Sequence, residues 1–139
     1  MKSLTNSLIA AAALMVAAGN APAQSLKAEI PFSFRAGGAM MNAGSYQVVT
    51  NPYGFGTPMI RLYNENDHKS AILPVMQSDA PKEWVASGKP KISFECIEGR
   101  CSLARVWKEG RDALHVDAPR RDPRTVGAIQ IITLELKAE

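Results

Sequence analysis

Short segments in which apolar and polar residues alternate recur through this chain, and turns containing Gly, Pro or Asn separate them. Residues 28–35 show the pattern clearly, with Ile30, Phe32 and Phe34 on one face. A period of two is that of a β-strand with one buried face, and no long window beyond the N-terminal segment has a helical period. We therefore predict an all-β fold, an antiparallel sandwich or small barrel of about eight short strands, in one domain over residues 24–139.

Several segments carry more specific expectations. Pro31 has no N–H to donate to a ladder, which predicts that its strand lies at a sheet edge. The β-branched run at 128–136 predicts a buried closing strand. A short helix is expected at 112–116, a surface connection at 77–90 and a charged, proline-bearing loop at 117–124. Further strands are predicted at 39–41, 45–51, 59–63 and 69–76, and a hairpin at 91–107.

The first 23 residues follow the three-part plan of a secretory signal. Lys2 precedes an uninterrupted apolar run at 8–18, and Ala-Pro-Ala at 21–23 supplies small residues before a cleavage site at Gln24. As a helix the run spans about 16 Å, roughly half of a ~30 Å hydrocarbon core, which favours a cleaved leader over an anchor. We predict a periplasmic or secreted protein with no transmembrane segment in the mature chain.

Cys96 and Cys101 are the only cysteines, and export permits disulfides. A four-residue hairpin loop around Glu-Gly at 98–99 would place them opposite each other, close enough to bridge. The C-x-x-C spacing of redox pairs and of haem attachment is absent, and a zinc site would need His68 and His115 at non-standard spacings. We predict a structural disulfide that stabilises one hairpin, with a metal or redox role as the alternative.

A series of short motifs runs in order along most of residues 28–110. They are Glu29-Ile30-Pro31-Phe32-Ser33-Phe34, Gly37-Gly38, Ala43-Gly44-Ser45-Tyr46, Phe94, Gly99-Arg100, Leu103 and Val106-Trp107. With these motifs the chain resembles a group of small exported bacterial proteins of unknown function. It departs from them in Asn42, where Pro is common, and in the two hairpin cysteines. The resemblance implies a β-rich exported domain and brings no activity, cofactor or catalytic residue.

Five aromatic residues of these motifs are predicted core anchors, because aromatic side chains at a period of two bury much apolar area. They are Phe32, Phe34, Tyr46, Phe94 and Trp107. Gly44 is predicted to be needed for a tight turn with a positive φ.

The two histidines are the candidates for acid–base chemistry. His115 lies between Asp112 and Asp117, and a neighbouring carboxylate can orient an imidazole as a general base or metal ligand. His68 belongs to a predicted solvated hairpin tip at 65–68. Nucleophile-elbow, Walker, dinucleotide and zinc-protease motifs are absent, so we predict no catalytic, cofactor or metal site. A small metal-dependent or acid/base enzyme using His115 with Asp112 or Asp117 is an alternative.

A basic stretch lies in the C-terminal third. Arg111, Arg120, Arg121 and Arg124 are among seven cations between residues 100 and 124, which four acids accompany. Such a segment suits an anionic polymer of the cell envelope or an envelope protein as partner. The alternative is a solvated loop whose charges pair locally.

Charge and compartment narrow the function class. Without Lys2 the mature chain has a net charge of only +2, which is too small an excess to indicate a nucleic-acid partner. The favoured hypothesis is a non-catalytic exported β domain with a binding or structural role in the envelope or outside the cell, without a cofactor. The enzyme and the polyanion binder are the alternatives.

Overall fold

Twelve strands and one short helix form over residues 25–51, 56–116 and 127–138, the part of the chain that the computed structural model describes. The strands form two sheets that pack together around one main core. The predicted all-β fold is confirmed and is a sandwich, because the described strands do not close into a barrel. The described strands number twelve rather than the predicted eight or so, partly because two predicted strands divide in two. The predicted leader at 1–23 and the predicted loop at 117–124 lie outside the described residues.

The first sheet has five strands, all paired antiparallel. In spatial order they are β12 (Lys137–Ala138), β1 (Ser25–Ile30), β4 (Gly44–Thr50), β5 (Met59–Asn64) and β6 (Ser70–Pro74). Alternate residues of the central strands are buried, Tyr46 and Val48 in β4 and Ile60 and Leu62 in β5. One face of this sheet therefore supplies one side of the core.

The second sheet has seven strands and includes one parallel pair. Its main path is β11 (Gln130–Glu135), β8 (Lys91–Ile97), β9 (Arg100–Trp107), β10 (Ala113–His115) and β7 (Met76–Ser78), and the hairpin of β2 (Phe34–Ala36) and β3 (Ala39–Met41) joins it through β9. The pairing of β2 with β9 is parallel and the others are antiparallel. Strand β9 thus pairs with two different strands, β2 and β10, along one of its edges.

Aromatic rings meet where the two sheets pack. The ring centroid of Phe94 lies 4.9 Å from that of Phe32 and 5.0 Å from that of Phe34, and Phe34 lies 5.3 Å from Tyr46. All three contacts are edge-to-face, the arrangement that the charge distribution of aromatic rings favours. Four of the five predicted anchors are buried, Trp107 in a separate small cluster, and Phe32 is half-buried against the main core.

The predicted strand at 28–35 is two strands that belong to different sheets. β1 ends at Ile30 and β2 begins at Phe34, because Pro31 lacks the N–H that would continue the ladder. The prediction that Pro31 marks an edge strand is wrong for β1, since β4 pairs along its whole length and β12 pairs with part of its other side. The proline instead marks the point where the chain leaves the first sheet for the second.

Residues 69–76 divide in the same way. β6 ends at Pro74 and β7 begins at Met76, with Val75 buried between them. The predicted helix at 112–116 is also wrong, because these residues form β10, paired on both sides. A five-residue segment gains little from helix formation alone, and the open edge of β9 offers it backbone partners.

Within the predicted surface connection at 77–90 the chain forms β7 and then the helix α1 (Lys82–Ser87), which the sequence pattern does not show. Trp84 of this helix packs against Trp107 and Ala113. Gly88 ends the helix in the left-handed conformation, as glycine commonly does at this position. Trp84 thereby attaches the helix to the second sheet.

The predicted buried closing strand at 128–136 forms β11, but it is not buried. β11 lies at the edge of the second sheet and, among the described residues, pairs only with β8. Ile131 is 65% exposed, whereas Leu136, just beyond the strand, is buried. β-branched residues favour a strand in any position, and the neighbouring elements decide how deeply it is buried.

The predicted disulfide between Cys96 and Cys101 is present and joins β8 to β9. The loop of this hairpin is shorter than predicted, because Ile97 pairs with Arg100 and only residues 98–99 form the turn. Both turn residues have positive φ, as a two-residue type I′ hairpin requires. The two Cα atoms are 4.0 Å apart, the close spacing of a pair without ladder hydrogen bonds. The bridge therefore stabilises the register of a tight hairpin.

We expect reduction of this disulfide to lower the free energy of unfolding by about 2 kcal/mol without unfolding the protein, because the bridge closes a short ring. Urea unfolding followed by circular dichroism, with and without dithiothreitol, measures the difference. Reduction that unfolds the protein in buffer alone would contradict this expectation, since the hairpin would then depend on sulfur rather than on its buried Phe94 and Leu103.

Asn64 organises the predicted polar tip between β5 and β6. Its Oδ1 accepts hydrogen bonds from the N–H groups of Asn66 (2.8 Å) and Asp67 (3.2 Å), and its Nδ2 donates to the carbonyl of Asn42 (3.3 Å). The tip is exposed as predicted, but Asn64 itself is 1% exposed. A hydrogen bond from the N–H of Lys69 lowers the pKa of the Asp67 carboxyl. The tip is therefore an ordered, hydrogen-bonded structure.

Gly44, the first residue of β4, has a φ of 158°. The predicted positive φ is confirmed, and side chains of the L configuration rarely adopt this value. A Cβ atom there would lie 2.7 Å from Oδ1 of Asn66 and 3.1 Å from the amide of Asn64. Glycine is therefore needed both for the positive φ, as predicted, and because these asparagine side chains approach the backbone closely.

Candidate binding cleft

Two strands end against the same short stretch of β9. β2 runs parallel to β9, with Arg35 beside Ser102, whereas β10 runs antiparallel, with His115 beside Arg105. The C-terminal ends of β2 and β10 therefore approach each other from opposite directions, on either side of residues 103–104. Strand ends that meet in this way leave an opening in the surface of the sheet.

A β-bulge in β9 lies at this point. The register with β8 shifts between Ser93 and Phe94, so that Ala104 is an additional residue on β9. In a regular strand Arg105 would share the inward face of Leu103. The bulge instead places Val106 in the core and leaves Arg105 exposed, as bulges often do near binding sites.

The opening is a cleft with a volume of about 600 Å³. Arg35 and Glu95 lie on the face of the second sheet that is turned away from the main core, since they alternate with the buried Phe34 and Phe94. The wall comprises Arg35, Gly37, Ser78, Glu95, Ser102, Leu103, Ala104, Arg105, His115 and Val116. This volume is typical of small-molecule sites, which combine apolar walls with a few convergent polar groups.

Two residues of the wall each have a side-chain atom that is buried without a hydrogen-bond partner: the hydroxyl oxygen of Ser78 and Nδ1 of His115. Ser78 pairs with Ala113 across the β7–β10 ladder, so it is the diagonal neighbour of His115. The Cα atoms of such neighbours are roughly 7–8 Å apart. Buried polar groups normally have a partner, and an unpaired group costs about 1–3 kcal/mol. The cleft therefore holds unused hydrogen-bonding capacity at two neighbouring positions.

The structure brings together only some of the predicted site residues. His115 lines the cleft, whereas Asp112 is exposed in the preceding turn and does not belong to its described wall. Arg111 is exposed in the same turn, where its carbonyl accepts a hydrogen bond from Nε1 of Trp107. Burial, and to a lesser degree the charge of Arg111, lower the pKa of Lys108. Asp117, Arg120, Arg121 and Arg124 lie outside the described residues.

The sequence reasoning misses several cleft residues, among them Arg35 and Ser78. Arg35 directly follows the predicted anchor Phe34, and its place on the outward face of that strand is the one signal for it. Ser78 falls in the predicted surface connection, and nothing local shows that β7 joins the sheet. Arg105 belongs to the predicted basic stretch, but its neighbours in space are His115 and Ser93.

The second histidine has a local partner. Nδ1 of His68 is 2.6 Å from the hydroxyl of Tyr63, and the N–H of His68 donates to the carbonyl of Asn64. His68 has a φ of 63°, so it closes the tip between β5 and β6. Within the described ranges, no three residues of the types His, Cys, Asp and Glu are grouped closely enough to hold a metal ion.

Searches of protein-family models, of curated proteins and of solved structures found no match to this chain. The resemblance to small exported bacterial proteins therefore stays a prediction. Among the described residues, none belongs to a helix with the length and apolar character needed to cross a bilayer.

Proposed function

We propose that this protein is an exported, non-catalytic β-sandwich that binds a small molecule in the cleft between the ends of β2 and β10. The observation that carries the proposal is the pair of unpartnered buried atoms, Ser78 Oγ and His115 Nδ1, which belong to two residues that line the cleft. Both atoms are closed to solvent, and a ligand that reaches them from the cleft would supply the hydrogen bonds that the protein leaves unmade.

The arrangement of the two orphan groups favours binding over catalysis. A serine nucleophile works with a base in hydrogen-bond reach, which a third group orients. Ser78 Oγ and His115 Nδ1 have no hydrogen-bond partner, so they are not bonded to each other. Of the two predicted orienting residues, Asp112 is exposed outside the described cleft wall, and Asp117 lies outside the described residues. These features support a binding role for Ser78 and His115.

Two features support export. Residues 1–23 have the pattern of a cleavable leader, and the disulfide of Cys96 with Cys101 suits an oxidising compartment. Such a bridge stabilises a small domain outside the cytoplasm, because the reductants that keep thiols reduced in the cytoplasm do not act there. The cell envelope or the extracellular space is the proposed location.

The test is a ligand screen by NMR on protein produced with its own leader and recovered from the periplasm. Its intact mass should correspond to a chain beginning at Gln24. Small neutral, cationic and anionic aromatic compounds are titrated while the backbone amides of Ser78, Ser102 and His115 are followed. We expect at least one compound class to shift these amides saturably, because the cleft is open and partly apolar.

A matched pair of substitutions locates the binding. Ser102→Trp fills the cleft from its wall, and Thr133→Trp adds the same side chain at an exposed position of β11 outside the wall. The first should abolish the shifts and the second should leave them unchanged. Shifts that survive Ser102→Trp, or an absence of shifts for every compound class, would refute binding in the cleft. Full-length protein that stays in the cytoplasm would refute export.

A further inference from the structure

The charged side chains of the cleft lie on both sides of the point where β2 and β10 meet. Arg35 is beside Ser102 and Arg105 is beside His115, so the two arginine backbones are about 10 Å apart along β9 at roughly 3.3 Å per residue. Guanidinium groups on such long side chains can reach a single ligand between them. Arginine is suited to this task because its planar fork matches carboxylate and phosphate oxygens.

The polar groups of the wall are rich in hydrogen-bond donors. Each guanidinium offers only donors, the hydroxyl of Ser78 can donate, and His115 Nδ1 donates in one tautomer of the ring or when the ring is protonated. Among the described wall residues Glu95 is the acid, and it faces Ser102 on the neighbouring strand. Two arginines against one glutamate leave a positive balance, which favours a ligand rich in acceptor oxygens.

The rest of the wall is apolar. The apolar residues at the point where the two strand ends approach are Leu103, Ala104 and Val116. Contact of their side chains with water is unfavourable, so covering them with an apolar group stabilises a complex. An inorganic ion would leave them uncovered, whereas an organic body would bury them. The volume of about 600 Å³ lies within the range of sites for drug-sized molecules.

We infer that the ligand is a small organic anion. Its carboxylate or phosphate group is held by Arg35 and Arg105 and accepts hydrogen bonds from Ser78 and His115, and its apolar body lies against Leu103, Ala104 and Val116. This inference rests on the proposed binding function and adds the chemical class of the ligand.

The test uses four probes that share a phenyl ring and differ in the head group: benzoate, phenyl phosphate, benzamide and benzylamine. Titration of each into the mature protein, followed at the amides of Ser102 and His115, gives four dissociation constants. We expect at least one of the two anions to bind about tenfold or more tightly than benzamide, since hydrogen bonds to charged groups are stronger than those between neutral groups. Their comparison distinguishes a carboxylate from a phosphate ligand. Inorganic phosphate, which lacks the ring, should bind more weakly than phenyl phosphate.

Substitutions then assign the head group to the arginines. Arg35→Gln and Arg105→Gln should each weaken binding of the preferred anion about tenfold. Arg100→Gln should leave the affinity unchanged, because Arg100 is an exposed residue of the same strand outside the cleft wall. Arg35 and Arg105 are exposed, so their loss is tolerated by the fold.

Ser78→Ala separates a ligand contact from a structural role. The free protein should melt at the same temperature or higher, because the Ser78 hydroxyl has no partner to lose. The affinity for the anion should fall about threefold or more, the loss of one hydrogen bond. A fall in melting temperature with unchanged affinity would show that Ser78 serves the fold and would remove it from the inferred site.

The outcomes separate this inference from the proposed function. If benzamide or benzylamine binds in the cleft as tightly as the anions, the cleft is a binding site but the ligand class is wrong. If an anion binds in the cleft but the variants of Arg35 and Arg105 bind it as tightly as the unchanged protein does, recognition of the head group by these two arginines is refuted. If no probe and no compound of the wider screen shifts the cleft amides, both proposals fail.

Discussion

Replacing Phe94 with alanine is expected to lower the free energy of unfolding by about 3–5 kcal/mol, a large fraction of the ~5–15 kcal/mol typical of a domain. The Phe94 ring is fully buried between the sheets. It makes edge-to-face contacts with Phe32 and Phe34, so its removal loses apolar burial and leaves a cavity that neighbouring rings cannot fill. Urea unfolding of the mature protein with the disulfide intact measures the change.

The matched control for this substitution is Met40→Ala in β3. Met40 is a large apolar residue of the same sheet, but it is 53% exposed, so its truncation should change stability by less than about 0.5 kcal/mol. Similar losses at both positions would mean that Phe94 does not occupy the core. A loss for Phe94→Ala of less than about 1 kcal/mol would have the same meaning.

Replacing Asn64 with leucine is expected to lower the free energy of unfolding by about 2–4 kcal/mol. Leucine has a similar volume but cannot make the bonds of the asparagine side chain to Asn42, Asn66 and Asp67. The carbonyl of Asn42 and two N–H groups of the tip would then lose their partner in a partly buried site, which costs more than the bonds themselves contribute. Thermal unfolding followed by circular dichroism gives the shift.

Asn42→Ala is the control, because it removes an asparagine side chain from the same region. The side chain of Asn42 donates one exposed hydrogen bond to Asp67 (3.0 Å), whereas its carbonyl, which Asn64 and Tyr46 use, remains. We expect a loss of less than about 1 kcal/mol. If the two substitutions lower the free energy of unfolding by the same amount, the exposed contacts of the tip stabilise it rather than Asn64.

Period-two patterns predict where strands form, because burial of one face acts locally on alternate residues. They predict the hairpin of β8 and β9, and the turn residues at 98–99 fit it. They do not predict which strand is a neighbour of which. Residues 128–136 are as rich in β-branched residues as a central strand, yet β11 lies at an edge, because sheet order depends on contacts between distant segments.

The cleft was less accessible to sequence reasoning than the fold. His115 is a visible candidate because histidine is rare in this chain. Arg105 reaches the same site only because a bulge at Ala104 reverses the alternation, and no residue type specifies a bulge. Ser78 belongs to the cleft wall because it lies in β7, a three-residue strand that is too short to show a period in the sequence. Sites assembled from strand ends depend on register, which local patterns do not contain.

The parallel pairing of β2 with β9 also has a consequence for the order of folding. It joins Phe34 to Cys101, 67 residues later in the chain, whereas the β8–β9 hairpin joins neighbours. Contacts between distant segments have the larger loop-closure cost and tend to form slowly. The hairpin can therefore nucleate early, and the β2 side of the cleft is completed only when the N-terminal part of the domain docks.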